Sequence, residues 1–233
     1  MTDLDGLAAS SDLDAYALSA DLDTAAWDDA AATVSDWATY LTVDTSDHLV
    51  TFSGANVYIQ SGSGSTSGAV NGVGNLIIGY DEGSDDKSGS HNLVVGQQHG
   101  YSSYGGLVAG YDNNVSGAYG SVAGGRGNSA TSSYAAVLGG QNNTAESNYA
   151  SVTGGYSNVA GNTYAVAVGG YDNAVYESDS VVIGGTYNTV VDGSSGYSNV
   201  LVGGFQATLD GGLFYSVMSY GNNTTMSSSG YFN

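Results

Sequence analysis

Residues 121–155 read SVAGGRGNSATSSYAAVLGGQNNTAESNYASVTGG, and in them a short apolar strand closed by two glycines returns every fifteen residues. Related phrases recur along the chain, and their closing glycines are Gly79, Gly96, Gly110, Gly125, Gly140, Gly155, Gly170, Gly185 and Gly204. A period this short is too small for a helix pair or a propeller blade, but it suits one coil of a β-solenoid with two short strands and two turns. The sequence therefore predicts an all-β fold, a parallel β-solenoid or β-roll with coils of about fifteen residues.

Two polar or aromatic columns accompany the glycines. Six coils carry asparagine three residues after the closing glycine, at Asn113, Asn128, Asn143, Asn158, Asn173 and Asn188. Five carry tyrosine six residues before it, at Tyr104, Tyr119, Tyr134, Tyr149 and Tyr164. Stacked coils would place each set in a ladder with steps of about 4.8 Å. Asparagine ladders pass amide hydrogen bonds from coil to coil, and asparagine also tolerates the left-handed backbone of a tight turn.

Two adjacent strand columns are apolar. The column three residues before the glycine holds Leu76, Leu93, Leu107, Val122, Val137, Val152, Ala167, Val182 and Leu201. The next column holds Ile77, Val94, Val108, Leu138, Val168, Ile183 and Val202, and it is interrupted by Ala123 and Thr153. Adjacent strand residues face opposite sides, so both faces require burial, whereas a single solenoid buries only its inner face. The pattern predicts that the outer column packs against other copies of the chain around an axis.

These repeats resemble the heads of trimeric autotransporter adhesins. The SVxxG strand, the polar turn with Asn and Ala, and the return to SVxxG carry the resemblance, which covers Asn75 to Gly204. It implies a homotrimer of left-handed parallel β-rolls. The chain departs from the family in its fifteen-residue step and its doubled glycine. Trimeric phage tail-fibre proteins are similar at this level, because every trimeric solenoid meets the same packing demands.

Charge limits the partners of this chain. Its 233 residues contain two basic residues, Lys87 and Arg126, against 22 acidic ones, for a net charge of −20. Nucleic acid is excluded as a partner by this balance, because phosphate binding depends on lysine and arginine. The residues MTDLDGLAAS lack the basic and apolar regions of a secretory signal, and no run approaches the ~20 apolar residues of a membrane span. We therefore expect no membrane insertion.

Glycine content divides the chain in two. All but one of the 37 glycines lie at or after Gly54. Before it, Leu13, Ala20, Trp27, Val34 and Leu41 keep a seven-residue step, which predicts a short helical, coiled-coil-like stalk over residues 1–47. A frayed or non-helical oligomerisation segment is the alternative, because Asp23 falls at a core position of the heptad.

Three further regions follow the stalk. Residues 48–74 are predicted to be a β connector, with two strands in HLVTFSGANVYIQ around a turn at Gly54 and a Gly/Ser loop at Ser61–Gly68. Residues 75–204 form the β-roll repeat domain. Residues 205–233 lose the period, and we expect them to be a C-terminal cap of the open solenoid end.

Candidate chemical sites are few. His48, His91 and His99 have no recognisable nucleophile and orienting acid around them, so the chain is expected not to be an enzyme, and adjacent carboxylates such as Asp85 and Asp86 are more simply solvated than catalytic. Four acidic residues crowd one loop and form a candidate calcium site: Asp81, Glu82, Asp85 and Asp86. No other cofactor is expected.

Tyrosines directly after closing glycines form a possible receptor contact: Tyr80, Tyr111, Tyr156 and Tyr171. Such rows can bind sugars or proteins through their amphipathic rings, or they can fill grooves between subunits. The expected function is a non-enzymatic trimeric fibre or adhesin head that attaches to a glycan or a surface protein. The alternative is a structural subunit that polymerises into an extracellular filament. Either places the chain outside the cell, on a cell-surface appendage or on a virion surface.

Overall fold

The computed structural model describes residues 38–191, 198–209, 217–219 and 222–226. The chain divides into two compact units between Tyr58 and Ile59. The described residues contain strands and turns but no helix. Residues 1–37 of the stalk predicted for residues 1–47 lie outside the described residues.

The described part of the first unit is a β-hairpin. Strand β1 (Leu41–Asp44) pairs antiparallel with β2 (Leu49–Phe52). The Asp44 carboxylate accepts hydrogen bonds from the Ser46 hydroxyl at 2.6 Å and from the Ser46 and Asp47 backbone N–H groups. The Ser46 hydroxyl and then these two backbone groups hold the pKa of Asp44 below its ordinary value.

The hairpin corrects two sequence predictions. Its turn lies between Asp44 and Leu49, not at Gly54, so the strand pair predicted for His48–Gln60 is wrong. Leu41, the last member of the heptad column, lies in β1, so the helical part of the predicted stalk does not include residues 41–44. The physical reason is the Asp44 carboxylate, which accepts the Ser46 and Asp47 backbone N–H groups and so favours a turn at this position.

The second unit is a parallel β-solenoid. Its first sheet contains β3 (Leu76–Ile78), β4 (Leu93–Gln97), β6 (Leu107–Tyr111), β8 (Ser121–Val122), β10 (Ala136–Val137), β12 (Ser151–Val152), β14 (Val166–Val168), β16 (Val181–Ile183), β18 (Val200–Val202) and β20 (Val217–Ser219). Its second sheet contains β5 (Gly100–Tyr101), β7 (Asn114–Val115), β9 (Ser129–Ala130), β11 (Thr144–Ala145), β13 (Val159–Ala160), β15 (Ala174–Val175), β17 (Thr189–Val190), β19 (Thr208–Leu209) and β21 (Thr225–Met226). From β4 onward the chain alternates between the sheets, which confirms the predicted all-β parallel solenoid.

The core between the two sheets is narrow. Strands of two or three residues supply one inward side chain per sheet and coil, such as Val137 from β10 and Ala145 from β11, and both are fully buried. Valine and alanine fill most of this space, and the larger core side chains are Tyr101, Leu201 and Leu209. Inward and outward residues alternate along each strand, as a pleated backbone requires.

The doubled glycine marks a change in coil length. Val108 of β6 pairs with Val122 of β8, fourteen residues later, yet Tyr111 bridges Arg126 fifteen residues later. The extra residue therefore lies at the glycine corner. In the early coils the residue that faces the core is therefore two positions before the closing glycine instead of three. Val94 and Val108 face the core, while Leu93 and Leu107 face outward.

The second glycine of each pair is required by close packing of the coils. Gly140 has φ +84°, and a Cβ atom there would collide with the carbonyl oxygen of Gly155 in the next coil. Any L-amino acid at this position is both strained and sterically excluded.

The solenoid continues past the predicted boundary at residue 204. Strands β19, β20 and β21 pair in parallel with β17, β18 and β19, so the described part of residues 205–226 extends both sheets instead of forming a separate cap. The longer spacing of the last coils hides the period in the sequence. The remaining residues of the predicted cap lie outside the described ones.

The Gly/Ser loop is fixed to the first coils. The Ser61 N–H donates to Nε2 of His91 at 3.1 Å, and Nδ1 of His91 lies 3.2 Å from the Thr66 carbonyl oxygen. Since Nε2 accepts, Nδ1 carries the proton and donates. Asn71 donates to the Ser61 carbonyl oxygen at 2.9 Å. The histidine ring thus connects two points of residues 61–68 to the solenoid.

Replacing His91 with alanine should release this loop, because the Ser61 and Thr66 bonds both end on the ring. We expect the Ser61 amide to exchange with solvent at least ten-fold faster in hydrogen–deuterium exchange, with the amides of β10 and β12 unchanged. His48→Ala, in the other unit, is the matched control and should leave Ser61 protected. Unchanged exchange in His91→Ala would show that other contacts hold the loop.

Candidate interaction surfaces

The structure places the six asparagines of the repeat in one buried column. Asn143 shows the pattern: its Nδ2 donates to the carbonyl oxygens of Gly139 and Gly155, each at 3.0 Å, and its Oδ1 accepts the Asn158 N–H at 2.9 Å. Each side chain is at most 1% exposed. The column therefore joins each coil to the next through buried hydrogen bonds.

The column begins at a residue that the sequence pattern did not include. His99 is buried, and its Nδ1 accepts the Asn113 N–H at 3.2 Å while Nε2 donates to the Val95 carbonyl oxygen at 3.1 Å. At the other end, the Ala207 N–H donates to Oδ1 of Asn188. His99 is thus a core residue that replaces asparagine in a shorter coil.

The left-handed backbone of this corner belongs to the residue before each asparagine. Asp112, Asn142, Ser157 and Asp172 have φ between +53° and +57°. The buried asparagines point inward instead, where their amides satisfy corner carbonyl groups. The left-handed backbone and the amide ladder therefore belong to two neighbouring residues, whereas the sequence pattern predicted that the asparagine has both roles.

Asn143→Ala should lower the free energy of unfolding by about 2 to 3 kcal/mol, because it leaves buried backbone groups without partners. The measurement is urea denaturation followed by circular dichroism. Gln141→Ala, which truncates an exposed side chain in the same coil, should change stability by no more than about 0.5 kcal/mol. Equal effects of the two substitutions would contradict a stabilising amide ladder.

Four tyrosines stack along one edge of the solenoid. The rings of Tyr119, Tyr134, Tyr149 and Tyr164 lie 4.9–5.3 Å apart between centroids, with interplanar angles of 3–14°. All four have φ between +57° and +61°, and they are 40–51% exposed. We name residues 116–119, 131–134, 146–149 and 161–164, which end in these tyrosines, the tyrosine edge.

Tyr104 does not continue the stack. Its ring meets Tyr119 edge-on, at 5.2 Å and 90°. The coil of Tyr104 has fourteen residues, and Gly105, with φ +67°, takes the left-handed position that tyrosine occupies in the next coils. The predicted ladder of five therefore consists of a parallel stack of four and one perpendicular ring.

Stacking limits what the tyrosine edge can contact. Because the faces of the inner rings are covered by their neighbours, the row presents ring edges and hydroxyl groups to solvent. A sugar ring cannot lie flat on Tyr134 or Tyr149. Contact through hydrogen bonds and ring edges remains open to a ligand.

A second row occupies the glycine corner. Tyr111, Arg126, Gln141, Tyr156 and Tyr171 bridge one another in sequence, so three of the predicted contact tyrosines share one column. The Arg126 guanidinium lies 5.3 Å from the Tyr111 ring centroid, and Tyr156 stacks on Tyr171 at 5.0 Å. The signal for Arg126 and Gln141 was their position directly after a closing glycine.

The second row ends in edge-on contacts. Tyr187 meets Tyr171 at 5.4 Å and Phe205 at 6.2 Å, both near perpendicular. The hydrogen bond to Tyr187, followed by the charge of that neighbour, raises the pKa of Tyr171. Tyr80, the fourth predicted contact residue, is 94% exposed.

Lys87 stabilises the acidic loop, residues 81–87. Lys87 Nζ lies 3.2 Å from Asp81 Oδ1 as an ion pair without directed hydrogen-bond geometry, and it donates to the backbone oxygens of Asp81 and Glu82. Asp81 Oδ2 accepts the Tyr101 hydroxyl at 2.8 Å. Ser88 holds the pKa of Asp86 below its ordinary value, first through its side chain and then through its N–H.

The predicted calcium ligands are not gathered into a site. Among the described residues, which include Asp81, Glu82, Asp85 and Asp86, no group of three or more His, Cys, Asp or Glu side chains could hold a metal ion. One of the four, Asp81, instead serves as the common partner of Lys87 and Tyr101.

Tyr101 gives the fold a dependence on alkaline pH. Burial, then the hydrogen bond to Asp81 and its negative charge, raise the pKa of this phenol. An unfolded tyrosine ionises near pH 10, where the folded one keeps its proton, so stability from this group is complete below pH 10 and falls as the pH rises further.

Tyr101→Phe should therefore show a shallower decrease of the urea midpoint between pH 10 and pH 11.5 than the unsubstituted chain, although it is less stable at pH 8. Tyr80→Phe, which changes an exposed phenol, should keep the original slope. Parallel pH profiles for Tyr101→Phe and the unsubstituted chain would contradict a perturbed Tyr101.

The outer surface of the first sheet is apolar. Two outward-facing columns lie on either side of the core column that contains Val122 and Val137. The first column is Leu76, Leu93, Leu107, Ser121, Ala136, Ser151, Val166, Val181 and Val200. The second column is Ile78, Val95, Ala109, Ala123, Leu138, Thr153, Val168, Ile183 and Val202. We name these two columns the apolar face. They contain no charged residue, and Leu138 and Ile183 are 59% and 40% exposed.

No protein-family model matches the chain, and no curated protein matches it. Within the part of the chain that the structure describes, no helix is long and apolar enough to cross a membrane.

Proposed function

We propose that this chain is a non-enzymatic fibre or adhesin head, assembled as a homotrimer through its apolar face and displayed outside the cell, on a cell-surface appendage or a virion. The observation that carries the proposal is the charge-free apolar face on a chain with net charge −20. Its edges then display aromatic rows to a glycan or a surface protein.

The apolar face is expected to be buried against another surface. Parallel sheets are normally buried on both sides, and here the core covers only the inner side of the first sheet. The nine strands that supply the residues of the apolar face, spaced about 4.8 Å apart, give a strip about 38 Å long. A charge-free and mainly apolar strip of this length is typical of an interaction surface.

The acidity of the chain still allows a second copy of the chain to cover this face. Two highly acidic chains repel each other at long range, but contact through the apolar face removes no charged group from water. Salt screens the remaining repulsion over about 8 to 10 Å. Self-association along this face is consequently compatible with the acidity of the chain.

Attachment is supported by the two edges of the solenoid. Both carry rows of aromatic and amide side chains in repeating positions, and most of these side chains are exposed. Regular rows on a rigid scaffold suit a repetitive partner. Such a role needs no catalytic group.

A polymerising subunit is the second candidate, and the end strand β3 favours it. Ile77 of β3 pairs with Val94, so it belongs to the core column, yet it is 38% exposed because β3 is the terminal strand of its sheet. A strand from another copy could extend the sheet there and bury Ile77.

The double substitution Leu138→Asp and Ile183→Asp tests the proposal. We expect it to convert a trimer into single chains in mass photometry at physiological salt, because it places carboxylates in the buried contact. Gln141→Asp with Gln206→Asp adds the same charge at exposed corner positions and should leave the trimer intact.

The unsubstituted chain decides between the candidates in the same experiment. Trimers support the fibre head, and long filaments in electron micrographs support the polymerising subunit. Single chains at all concentrations would reject both.

A further inference from the structure

The tyrosine edge uses tyrosine where the backbone does not require it. A left-handed backbone is unfavourable for a bulky residue. Other coils place Gly105, Asp179 and Ser198 in the same column with φ between +56° and +67°. Four consecutive tyrosines therefore reflect a property of the side chain.

Ring stacking explains only part of that choice. Parallel rings 4.9–5.3 Å apart stabilise the contact between coils, but phenylalanine would stack equally well. The rings are half-exposed, and the hydroxyl groups that they carry are not needed for stacking. The hydroxyl row is thus the unexplained feature.

The residues beside the tyrosines also carry uncharged polar side chains. The four segments of the tyrosine edge read SGAY, TSSY, ESNY and GNTY, so hydroxyl and amide groups dominate and Glu146 is the single charge. Asn148 and Thr131 are exposed there. In a chain with 22 acidic residues, this edge is close to neutral.

We propose that the tyrosine edge binds a neutral, linear polysaccharide that lies parallel to the solenoid axis. Hydroxyl and amide groups exchange hydrogen bonds with sugar hydroxyls, and the ring edges contact apolar C–H groups. This inference rests on the proposed attachment function and names the class of its ligand.

Shape and charge both select this ligand. The four rings form a row of near-parallel rings whose steps of 4.9–5.3 Å repeat without interruption, so an extended polymer can meet several of them at once. An acidic polymer is disfavoured, because the chain is strongly negative and this edge contains neither lysine nor arginine.

Native affinity electrophoresis of the full chain tests the proposal. The gels contain hydroxyethyl cellulose, dextran, galactomannan or soluble β-1,3-glucan, with alginate as the acidic comparison. We expect retardation by at least one neutral polymer and none by alginate. Replacing all four tyrosines of the edge with phenylalanine keeps the stack and should weaken retardation at least ten-fold, with an unchanged thermal midpoint.

Two further variants test whether binding belongs to the tyrosine edge and whether it depends on the rings. Tyr156→Phe with Tyr171→Phe, on the glycine corner, should leave retardation unchanged. Tyr134→Asn with Tyr149→Asn removes two rings, suits the left-handed backbone and should weaken retardation as strongly as the phenylalanine variant.

The proposal is overturned if no neutral polymer retards the unsubstituted chain, or if the four-phenylalanine variant binds as well as the unsubstituted chain. A variant that changes only the oligomeric state would assign the tyrosine edge to contact between copies, which also overturns it. Trimers without polysaccharide binding reject this inference and leave the fibre proposal intact, whereas single chains that bind polysaccharide reject the fibre proposal alone.

Discussion

The buried asparagine column is the interaction on which the solenoid depends. Strands of two residues contribute few ladder hydrogen bonds, and each corner leaves backbone carbonyl groups inside the protein. One side chain such as Asn158 satisfies carbonyl groups of its own coil and of the next, at 3.0 and 3.1 Å, and also accepts the N–H of Asn173 in that next coil. Since unpaired buried groups are costly, the column sets the spacing and the register of the coils.

The thin core follows from the same geometry. With one inward residue per strand, each coil contributes little apolar volume, and alanine and valine suffice to fill it. Stability therefore accumulates coil by coil through contacts with immediate neighbours, as in other repeat proteins. The glycines belong to this arrangement, because the coils approach closely at the corner where a Cβ atom at Gly155 would meet the Gly170 carbonyl oxygen.

The four outer surfaces differ in chemistry. The first sheet is apolar outside, and the second presents mainly short polar or small side chains such as Ser129, Thr144 and Ala174. The two edges hold the aromatic rows, one stacked and rich in hydroxyl groups, the other with Arg126 and Gln141 between its tyrosines. A fold that repeats every coil converts each sequence column into a continuous surface, so a few residue types define four distinct faces.

The sequence by itself determined the solenoid, its period, the asparagine ladder and most members of both tyrosine rows, because these features repeat at one spacing. It could not determine the orientation of Val94 and Val108, since a corner that is one residue shorter shifts the register without changing residue type. Nor could it reveal which residue takes the left-handed backbone, that the hairpin turn lies at residues 45–48, or that Asp81 binds Lys87 and Tyr101. Only the tertiary structure decided these points, because they depend on which atoms of neighbouring coils come within hydrogen-bond or van der Waals distance.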